Sequence, residues 1–203
     1  MVDDGPTRSR AEVRRAHLLE TARALFIEHG FHRTGVAQIA SASGIKVGQI
    51  YRDFSSKEDV IAAICERDVV DWLGEDILAR AVANGDQAAV REWMNRFLQN
   101  DEPVEECRLM NEIVAEAGRS PRIAELNRSI DQRIRERLSA ALAALTGRTD
   151  RGDERERLAD FILALGLGIM TRRAFDPELN VQAMYDYASM VVDQRIRELA
   201  EEA

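Results

Sequence analysis

Cysteine and histidine are scarce in this chain of 203 residues. Cys65 and Cys107 stand far apart and form no C-x-x-C pair, so neither a disulfide framework nor a zinc site is predicted. The three histidines all fall between residues 17 and 32. The sequence also contains no Gly-rich phosphate loop, nucleophile elbow or zinc-protease motif. We therefore expect no metal, no cofactor and no enzymatic activity.

Long apolar runs are absent as well. The longest run, residues 161–170, is about half the length of a membrane span and lies between Asp160 and Arg172. The first ten residues, MVDDGPTRSR, are polar and do not resemble a signal peptide. These features predict a cytoplasmic protein with no membrane partner.

Proline and aromatic residues are few, whereas Ala, Leu, Glu and Arg are abundant. This composition favours helices over strands. Apolar spacing and capping residues predict an all-α fold of about nine helices. The predicted ranges, from helix 1 to helix 9, are about 10–29, 35–43, 46–54, 56–84, 87–100, 103–118, 121–145, 154–173 and 176–199.

Charge is distributed unevenly along the chain, whose formal net charge is −8. Residues 5–57 carry nine Lys and Arg against four Asp and Glu, whereas residues 58–203 carry 19 against 30. Both lysines of the protein, Lys46 and Lys57, lie in the basic part. A basic head on an acidic body is typical of a protein that contacts phosphate with one end only.

Residues 30–58, GFHRTGVAQIASASGIKVGQIYRDFSSKE, predict a helix, a tight turn, a second short helix and the start of a third. Gly44 suits the left-handed conformation of such a turn. We attribute Gly48 to a close approach of helix 3 to helix 2 or to a DNA backbone, and we expect Thr34 to cap helix 2. The predicted core of this helix-turn-helix is formed by Val36, Ile39, Ala40, Ile45, Ile50 and Phe54.

Side chains around the turn that the core does not need are candidate DNA contacts. Gln49 can bond bidentately to adenine, and Val47 can meet a thymine methyl group. Lys57 is unfavourably placed for the helix dipole at the start of helix 4, a position that a bound phosphate would stabilise. The predicted DNA-binding residues are Thr34, Lys46, Val47, Gln49, Tyr51, Arg52 and Lys57. Further phosphate or minor-groove contacts are expected from Arg8, Arg10, Arg14 and Arg15.

The same pattern also fits a plain three-helix packing unit with solvated charges. Small helix-turn-helix units occur in proteins that do not bind DNA, so composition and spacing alone leave both readings open.

The segment resembles the N-terminal signature of the tetracycline-repressor (TetR) family. The resemblance covers about 50 residues without a gap and rests on Gly30, Phe31, Thr34, Val36, Ile39, Ala40, Gly44, Ile45, Gly48, Ile50, Tyr51, Phe54, Ser56, Lys57 and Glu58. It implies a homodimeric, all-α, ligand-responsive transcriptional regulator, usually a repressor. It also implies that Thr34, Tyr51 and Lys57 hold phosphates, while Val47 and Gln49 face bases.

Three positions depart from the pattern of that family. Gly35 stands where a second threonine is common, and Lys46 replaces the usual serine cap of helix 3. Asp53 replaces a Tyr or His that often lies against the DNA backbone. We expect Lys46 to contact phosphate in place of capping, and Asp53 to turn away from the DNA.

The last two predicted helices, 8 and 9, carry apolar residues on more than one face. A helix that is apolar on two sides requires two partners. The resemblance likewise implies a four-helix interface between two copies of the chain. An entirely intramolecular core is the alternative. The predicted dimer-interface residues are Leu165, Ile169, Tyr187, Val191 and Ile196.

Helices 4 to 7 are predicted to enclose an effector pocket. Asn111 offers a polar group there, and Glu112 could pair with a cation. Met and aromatic residues at helical spacing fit a plain core equally well. The candidate ligand-binding residues are Trp72, Trp93, Phe97, Met110, Asn111, Val114, Phe161 and Met170.

Together these patterns predict a DNA-binding transcriptional regulator. The favoured form is a homodimeric repressor, released from a pseudo-palindromic operator when a small apolar or amphipathic effector tilts helix 4. The alternative is a helical adaptor whose head binds another protein and not DNA. The predicted domains are a flexible basic arm (1–9), a helix-turn-helix DNA-binding domain (10–57) and an effector-binding and dimerisation domain (58–203).

Overall fold

The computed structural model describes residues 9–99, 102–148 and 152–201, which form ten α-helices and no strand. The predicted all-α fold is confirmed. Apart from residue 9, the predicted basic arm lies outside the described residues. The helices are α1 (Arg10–His29), α2 (Val36–Ser43), α3 (Val47–Asp53), α4 (Lys57–Leu73), α5 (Glu75–Ala83), α6 (Gln87–Leu98), α7 (Val104–Glu116), α8 (Pro121–Thr146), α9 (Gly152–Phe175) and α10 (Val181–Glu201).

Capping side chains begin several of these helices where the sequence predicts. The Ser120 hydroxyl accepts a hydrogen bond from the Ile123 amide at 3.3 Å, one residue before Pro121 opens α8. Asp86 accepts from the Ala89 amide at 3.0 Å and begins α6. Such bonds satisfy amide groups that have no partner inside the helix.

The single long helix predicted for residues 56–84 is wrong, because it breaks at Gly74 into α4 and α5. Gly74 has φ 51° and ψ 47°, and a Cβ there would lie 2.4 Å from Arg96 Nη2. Only glycine accommodates both conditions without strain. The indole Nε1 of Trp93 donates to the Leu73 carbonyl, so the last carbonyls of α4 find a partner in α6.

The predicted start of the last helix at Asp176–Pro177 is also wrong. Those residues form a turn in which the Leu179 amide donates to the Asp176 carbonyl at 3.2 Å. Helix α10 begins at Val181, because Asn180 Oδ1 accepts from the Ala183 amide at 3.2 Å and acts as the cap.

The chain divides into two compact units, the first ending at Arg67 and the second beginning at Asp68. In the first unit α2 packs on α1 and α3 packs on α2. The Phe26 and Phe31 rings lie 5.4 Å apart between their centroids. The buried core of this unit consists of Leu18, Leu19, Ala22, Phe26, Phe31, Ile39, Ala40, Ile50, Phe54, Val60, Ile61 and Ile64.

The core of the second unit joins α5, α6, α8, α9 and α10 with the end of α4. In this core the Trp93 and Phe97 rings stack with their centroids 5.4 Å apart, and the centroid of the Trp72 ring lies 4.6 Å from that of Phe97. Helix α7 packs mainly against α9. Among the described residues, no helix is long and apolar enough to cross a bilayer.

Glu75, the first residue of α5, is held by two arginines of α8. Its Oε1 accepts a hydrogen bond from Arg133 Nε at 2.6 Å and lies 3.2 Å from Arg137 Nε. The bond from Arg133, together with the neighbouring Arg137, lowers the pKa of Glu75 from 4.5 to about 2, although partial burial acts in the opposite direction. The ionised carboxylate therefore fixes the start of α5 on α8, directly after the break at Gly74.

The Glu75 contact makes a pH-dependent prediction for stability. Because the pKa is lower in the folded chain, the contribution is complete above about pH 5 and is lost as the pH falls towards 2. We expect Glu75→Gln to lower the free energy of unfolding by about 1–2 kcal/mol at pH 7, after allowance for solvent screening. Urea denaturation of both proteins between pH 7 and pH 3 measures the difference, which should shrink with acidification.

The exposed Glu125 provides the control, since its carboxylate lies 3.7 Å from Arg122 with 69% of its side chain exposed. Glu125→Gln should change the free energy of unfolding by less than about 0.5 kcal/mol at either pH. A Glu75→Gln effect that stays constant between pH 7 and pH 3 would contradict the assignment.

Candidate nucleic-acid interface

Helix α1 is the scaffold of the first unit. Ser9 and Glu12 form a reciprocal capping box at its start: the Glu12 amide donates to Ser9 Oγ at 3.2 Å and the Ser9 amide donates to Glu12 Oε2 at 2.7 Å. One face of the helix is buried through Leu18, Leu19, Ala22 and Phe26. Its exposed face carries Arg10 and Arg15, with Arg14 half-buried beside them.

The turn between α2 and α3 has the geometry that the sequence predicts. Gly44 adopts φ 69° and ψ 10° at the end of α2, in the left-handed region. Ser43 Oγ accepts from the Ile45 amide at 3.3 Å, and the Ser43 carbonyl lies 3.1 Å from His17 Nε2 of α1. The turn is therefore fixed both within itself and to α1.

Helix α3 buries one side and exposes the other. Ile50 is 1% exposed, whereas Tyr51 is 54% exposed and Val47 is 39% exposed. Lys46 and Arg52 are also exposed. Lys46 precedes the helix and makes no side-chain capping bond, so its ammonium is not used by the helix. Four of the predicted DNA-binding residues therefore share the solvent side of this short element.

The packing explanation for Gly48 is not supported. A Cβ at this position would meet no atom within 4 Å, and Gly48 itself is exposed. No steric constraint inside the described chain requires glycine there.

Thr34 is buried and does not cap α2, contrary to the expectation. Its hydroxyl donates towards the Leu25 carbonyl at 3.1 Å and the Gly30 carbonyl at 3.0 Å, and the cap of α2 is Gly35 without a side-chain bond. Thr34 is 1% exposed. Its hydroxyl therefore fastens the loop before α2 to the end of α1.

Lys57 has an internal partner that the sequence alone did not reveal. Its Nζ donates to the Phe31 carbonyl at 2.7 Å and lies 4.3 Å from the centroid of the Phe31 ring. A carbonyl oxygen and an aromatic face both attract an ammonium. These contacts balance the unfavourable position of a lysine at the start of α4.

The start of α4 is otherwise favourable. Ser56 Oγ accepts from the Asp59 amide at 3.2 Å, and Asp59 Oδ2 accepts from the Ser55 amide at 3.2 Å. Ser56 is therefore the residue that caps α4.

Arg14 connects α1 to the side of α3 that carries Gln49. With the Gln49 amide oxygen turned towards the guanidinium, that oxygen accepts from Arg14 Nε at 2.8 Å and from Nη1 at 3.2 Å. The opposite orientation of the amide would place N–H groups against N–H groups. Arg14 Nη2 also lies 3.8 Å from Asp53 Oδ2, which accounts for the aspartate that departs from the family pattern.

The predicted ligand-binding residues of the second unit fall into separate groups. Trp72, Trp93 and Phe97 form the aromatic cluster in the core. Asn111 on α7 donates to the Cys107 carbonyl at 2.7 Å and accepts from the Thr171 hydroxyl of α9 at 2.8 Å. Half-buried or exposed positions are taken by Met110, Val114, Phe161 and Met170.

The predicted dimer residues divide between the interior and the surface. Ile169 and Ile196 are buried inside the chain, at 4% and 2% exposure, so neither offers area to a partner. Tyr187 is 66% exposed, and Leu165 and Val191 are partly exposed. Exposed apolar residues of α9 and α10 that the prediction did not assign to this surface are Phe161, Leu167, Phe175 and Met190.

Two grooves lie along α9 and α10. The first is lined by Glu154, Arg157, Leu158, Phe161, Val191 and Arg195. The second is lined by Ala164, Leu165, Leu167, Gly168, Ile169, Thr171, Arg172 and Met184. Cβ atoms at Gly166 or Gly168 would meet nothing within 4 Å, so this surface is open in the single chain. Within the described part of the chain, no group of His, Cys, Asp and Glu side chains is arranged to hold a metal ion.

Comparison with known proteins matches both units to families of regulators. Residues 18–64 match the profile described as bacterial regulatory proteins, tetR family. Residues 86–197, more than half of the chain, match the profile of the BetI-type transcriptional repressor, C-terminal.

Among individual proteins, the chain is similar to the HTH-type transcriptional repressor KstR2 of Mycobacterium tuberculosis, with 43% identity over 60 residues. That match covers 30% of this chain and 30% of KstR2. The chain thus spans about a third of the length of the first curated relatives that it matches.

Solved structures extend the similarity to nearly the whole chain. A transcriptional regulator from Rhodococcus sp. Rha1 has a TM-score of 0.64 and 25% identity, over 91% of this chain and 95% of that protein. The complex of SmeT with triclosan has a TM-score of 0.67 and 21% identity, over 92% of this chain and 91% of SmeT. At 21% identity, the similarity to SmeT supports the all-α fold of this chain.

Proposed function

The chain belongs to the TetR family of bacterial regulatory proteins, and from this premise we propose that it represses transcription as a ligand-responsive homodimer. The helix-turn-helix of each subunit would read half of a pseudo-palindromic operator. A small apolar or amphipathic effector would release the dimer from that operator. The main support for this proposal is the exposed side of α3. Ile50 anchors the helix in the core, and the residues that remain exposed are Lys46, Val47, Tyr51 and Arg52.

The side chains around α3 suggest a division of contacts. Val47 and Gln49 would meet base edges in the major groove. Lys46, Tyr51 and Arg52 would hold phosphates, which supply most of the affinity of such complexes. Gly48, with open space around it, would let a DNA backbone or base edge come close to α3.

Thr34 and Lys57 would support the DNA contacts in different ways. The Thr34 hydroxyl is used inside the fold, so we propose that it positions the loop before α2. The Lys57 ammonium has three N–H donors, and the Phe31 carbonyl takes one of them. The other two are enough for a phosphate oxygen.

An adaptor that binds a protein through the same head finds no support in these comparisons. The matched profiles and relatives are described as transcriptional regulators or repressors, not as enzymes or adaptors. The head is basic, as a surface that binds a phosphate backbone should be. Binding to DNA weakens steeply as the salt concentration rises, so the salt dependence of binding distinguishes DNA from a protein partner.

For the dimer we propose the exposed surface of α9 and α10, which corresponds to helices 8 and 9 of the sequence prediction. Leu165, Tyr187 and Val191 remain in the proposed interface, and Phe161, Leu167 and Met190 join it. Exposed apolar side chains in one patch are characteristic of protein interfaces. The glycines at 166 and 168 would allow two α9 helices to approach closely.

For the effector we propose a site next to the aromatic cluster of Trp72, Trp93 and Phe97. A solved structure contains SmeT in complex with triclosan, and the present fold resembles that structure. Trp72 lies near the end of α4, whose first residue is Lys57, so one helix carries both the proposed ligand contact and a proposed phosphate contact. Titration of triclosan and other amphipathic phenols into the operator complex tests this, and failure of the whole panel to release DNA would contradict it.

Tyr51 and Lys57 provide the test of DNA binding. Tyr51→Ala and Lys57→Ala should each weaken operator binding by about tenfold, since each removes a phosphate contact. Tyr51→Phe keeps the ring and should reproduce most of the loss, because the hydroxyl is the group that reaches phosphate. Gel-shift titrations measure affinity, and sedimentation checks that the dimer is intact. Unchanged affinity in both alanine variants would show that α3 and α4 do not make these contacts.

The dimer surface has its own test. Leu167→Glu and Tyr187→Glu place a charge in the proposed interface and should convert the dimer into a folded monomer. Ile77→Glu is the control, because Ile77 is 47% exposed on α5, away from α9 and α10 in the sequence. Sedimentation velocity distinguishes the species. A dimer that survives both interface substitutions would exclude this surface.

A further inference from the structure

Gln49 and Arg14 form a pair whose hydrogen-bond chemistry restricts what Gln49 can recognise. We propose that Arg14 is a positioning residue that makes Gln49 a hydrogen-bond donor towards DNA, and so selects guanine over adenine at the base that Gln49 meets. This inference rests on the proposed function, since it concerns the operator that α3 reads.

A glutamine side chain can make only a limited number of hydrogen bonds. A carboxamide oxygen accepts two hydrogen bonds, and the NH₂ group donates two. The donors of Arg14 require the Gln49 amide to turn its oxygen towards them, and in that orientation the oxygen accepts from Arg14 Nε at 2.8 Å and from Arg14 Nη1 at 3.2 Å. Both acceptor positions of Gln49 are therefore used inside the protein, and the NH₂ group is what Gln49 can offer to a base.

The bases differ in the donors and acceptors that they present in the major groove. Adenine presents an acceptor, N7, beside a donor, the N6 amino group, and a bidentate glutamine needs a free acceptor as well as a donor to match it. Guanine presents two acceptors, N7 and O6, and cytosine presents a donor. A glutamine limited to its NH₂ group matches guanine, loses one of the two bonds to adenine and has none for cytosine.

Asp53 keeps the Arg14 guanidinium in place beside Gln49. Arg14 Nη2 lies 3.8 Å from Asp53 Oδ2, and Asp53 follows Gln49 by four residues on α3, so both partners of Arg14 lie on one face of that helix. Arg14 itself is one turn before Leu18, which is buried in the core. Asp53 thus holds the guanidinium beside Gln49 with an opposite charge.

The experiment is selection of bound duplexes from a random double-stranded DNA library by the full-length protein. Gln49→Ala first identifies the operator position that Gln49 reads, because base preference at that position disappears. At this position the wild type should prefer guanine over adenine by about tenfold, the order expected of one hydrogen-bonded base contact. Arg14→Met frees the Gln49 oxygen and should move the preference to adenine. In Arg14→Lys a single nitrogen replaces the two guanidinium nitrogens that face Gln49, so this variant should show a base preference between those of the wild type and Arg14→Met.

Arg15→Met is the matched control. Arg15 is the neighbouring residue on the same helix, and its guanidinium lies 5.0 Å from the Phe54 ring centroid. This variant removes the same charge without touching Gln49, so it should lower affinity for every sequence and leave base preference unchanged.

The outcomes separate this inference from the proposed function. If the wild type enriches a common operator but prefers adenine at the Gln49 position, the donor assignment is overturned. If Arg14→Met and Arg15→Met lose affinity equally and both keep the wild-type preference, Arg14 acts as a phosphate contact and the positioning role is overturned. If the wild type enriches no common sequence, the DNA-binding proposal fails first, and this inference fails with it.

Discussion

The candidate DNA-reading helix exists only because one of its sides is buried. Helix α3 has seven residues, a length at which an isolated helix is not stable in water. Ile50 at 1% exposure and Phe54 at 5% hold it in the core of the first unit. This constraint leaves Val47, Tyr51 and Arg52 on the exposed side of the helix, while Gln49 and Asp53 contact Arg14 of α1.

The same constraint explains the contacts around α3. The loop before α2 is fastened by the Thr34 hydroxyl, the turn by Gly44 and Ser43, and the start of α4 by the contact of Lys57 with Phe31. Each of these contacts fixes the position of α3 without occupying its exposed side. A rigid support beneath a polar surface is what sequence-specific recognition requires.

The elements predicted correctly from the sequence depend on local signals. Gly44 is an example, because its turn chemistry involves residues within three or four positions. The partner of Lys57 lies 26 residues earlier, and the break at Gly74 depends on Arg96 and Trp93 of another helix. Neither could be deduced from periodicity. Ile196 shows the same limit, since an apolar helix does not reveal from its sequence which side faces the core of its own chain and which side faces solvent.

The proposed role of α3 is to read a DNA sequence. The most direct measurement is selection of fragmented genomic DNA by the purified protein, followed by titration of the enriched fragment at increasing salt. We expect enrichment of fragments that share a motif with two-fold symmetry, bound with an affinity that falls steeply as salt rises. Recovery of unrelated fragments, or an affinity that does not respond to salt, would contradict it.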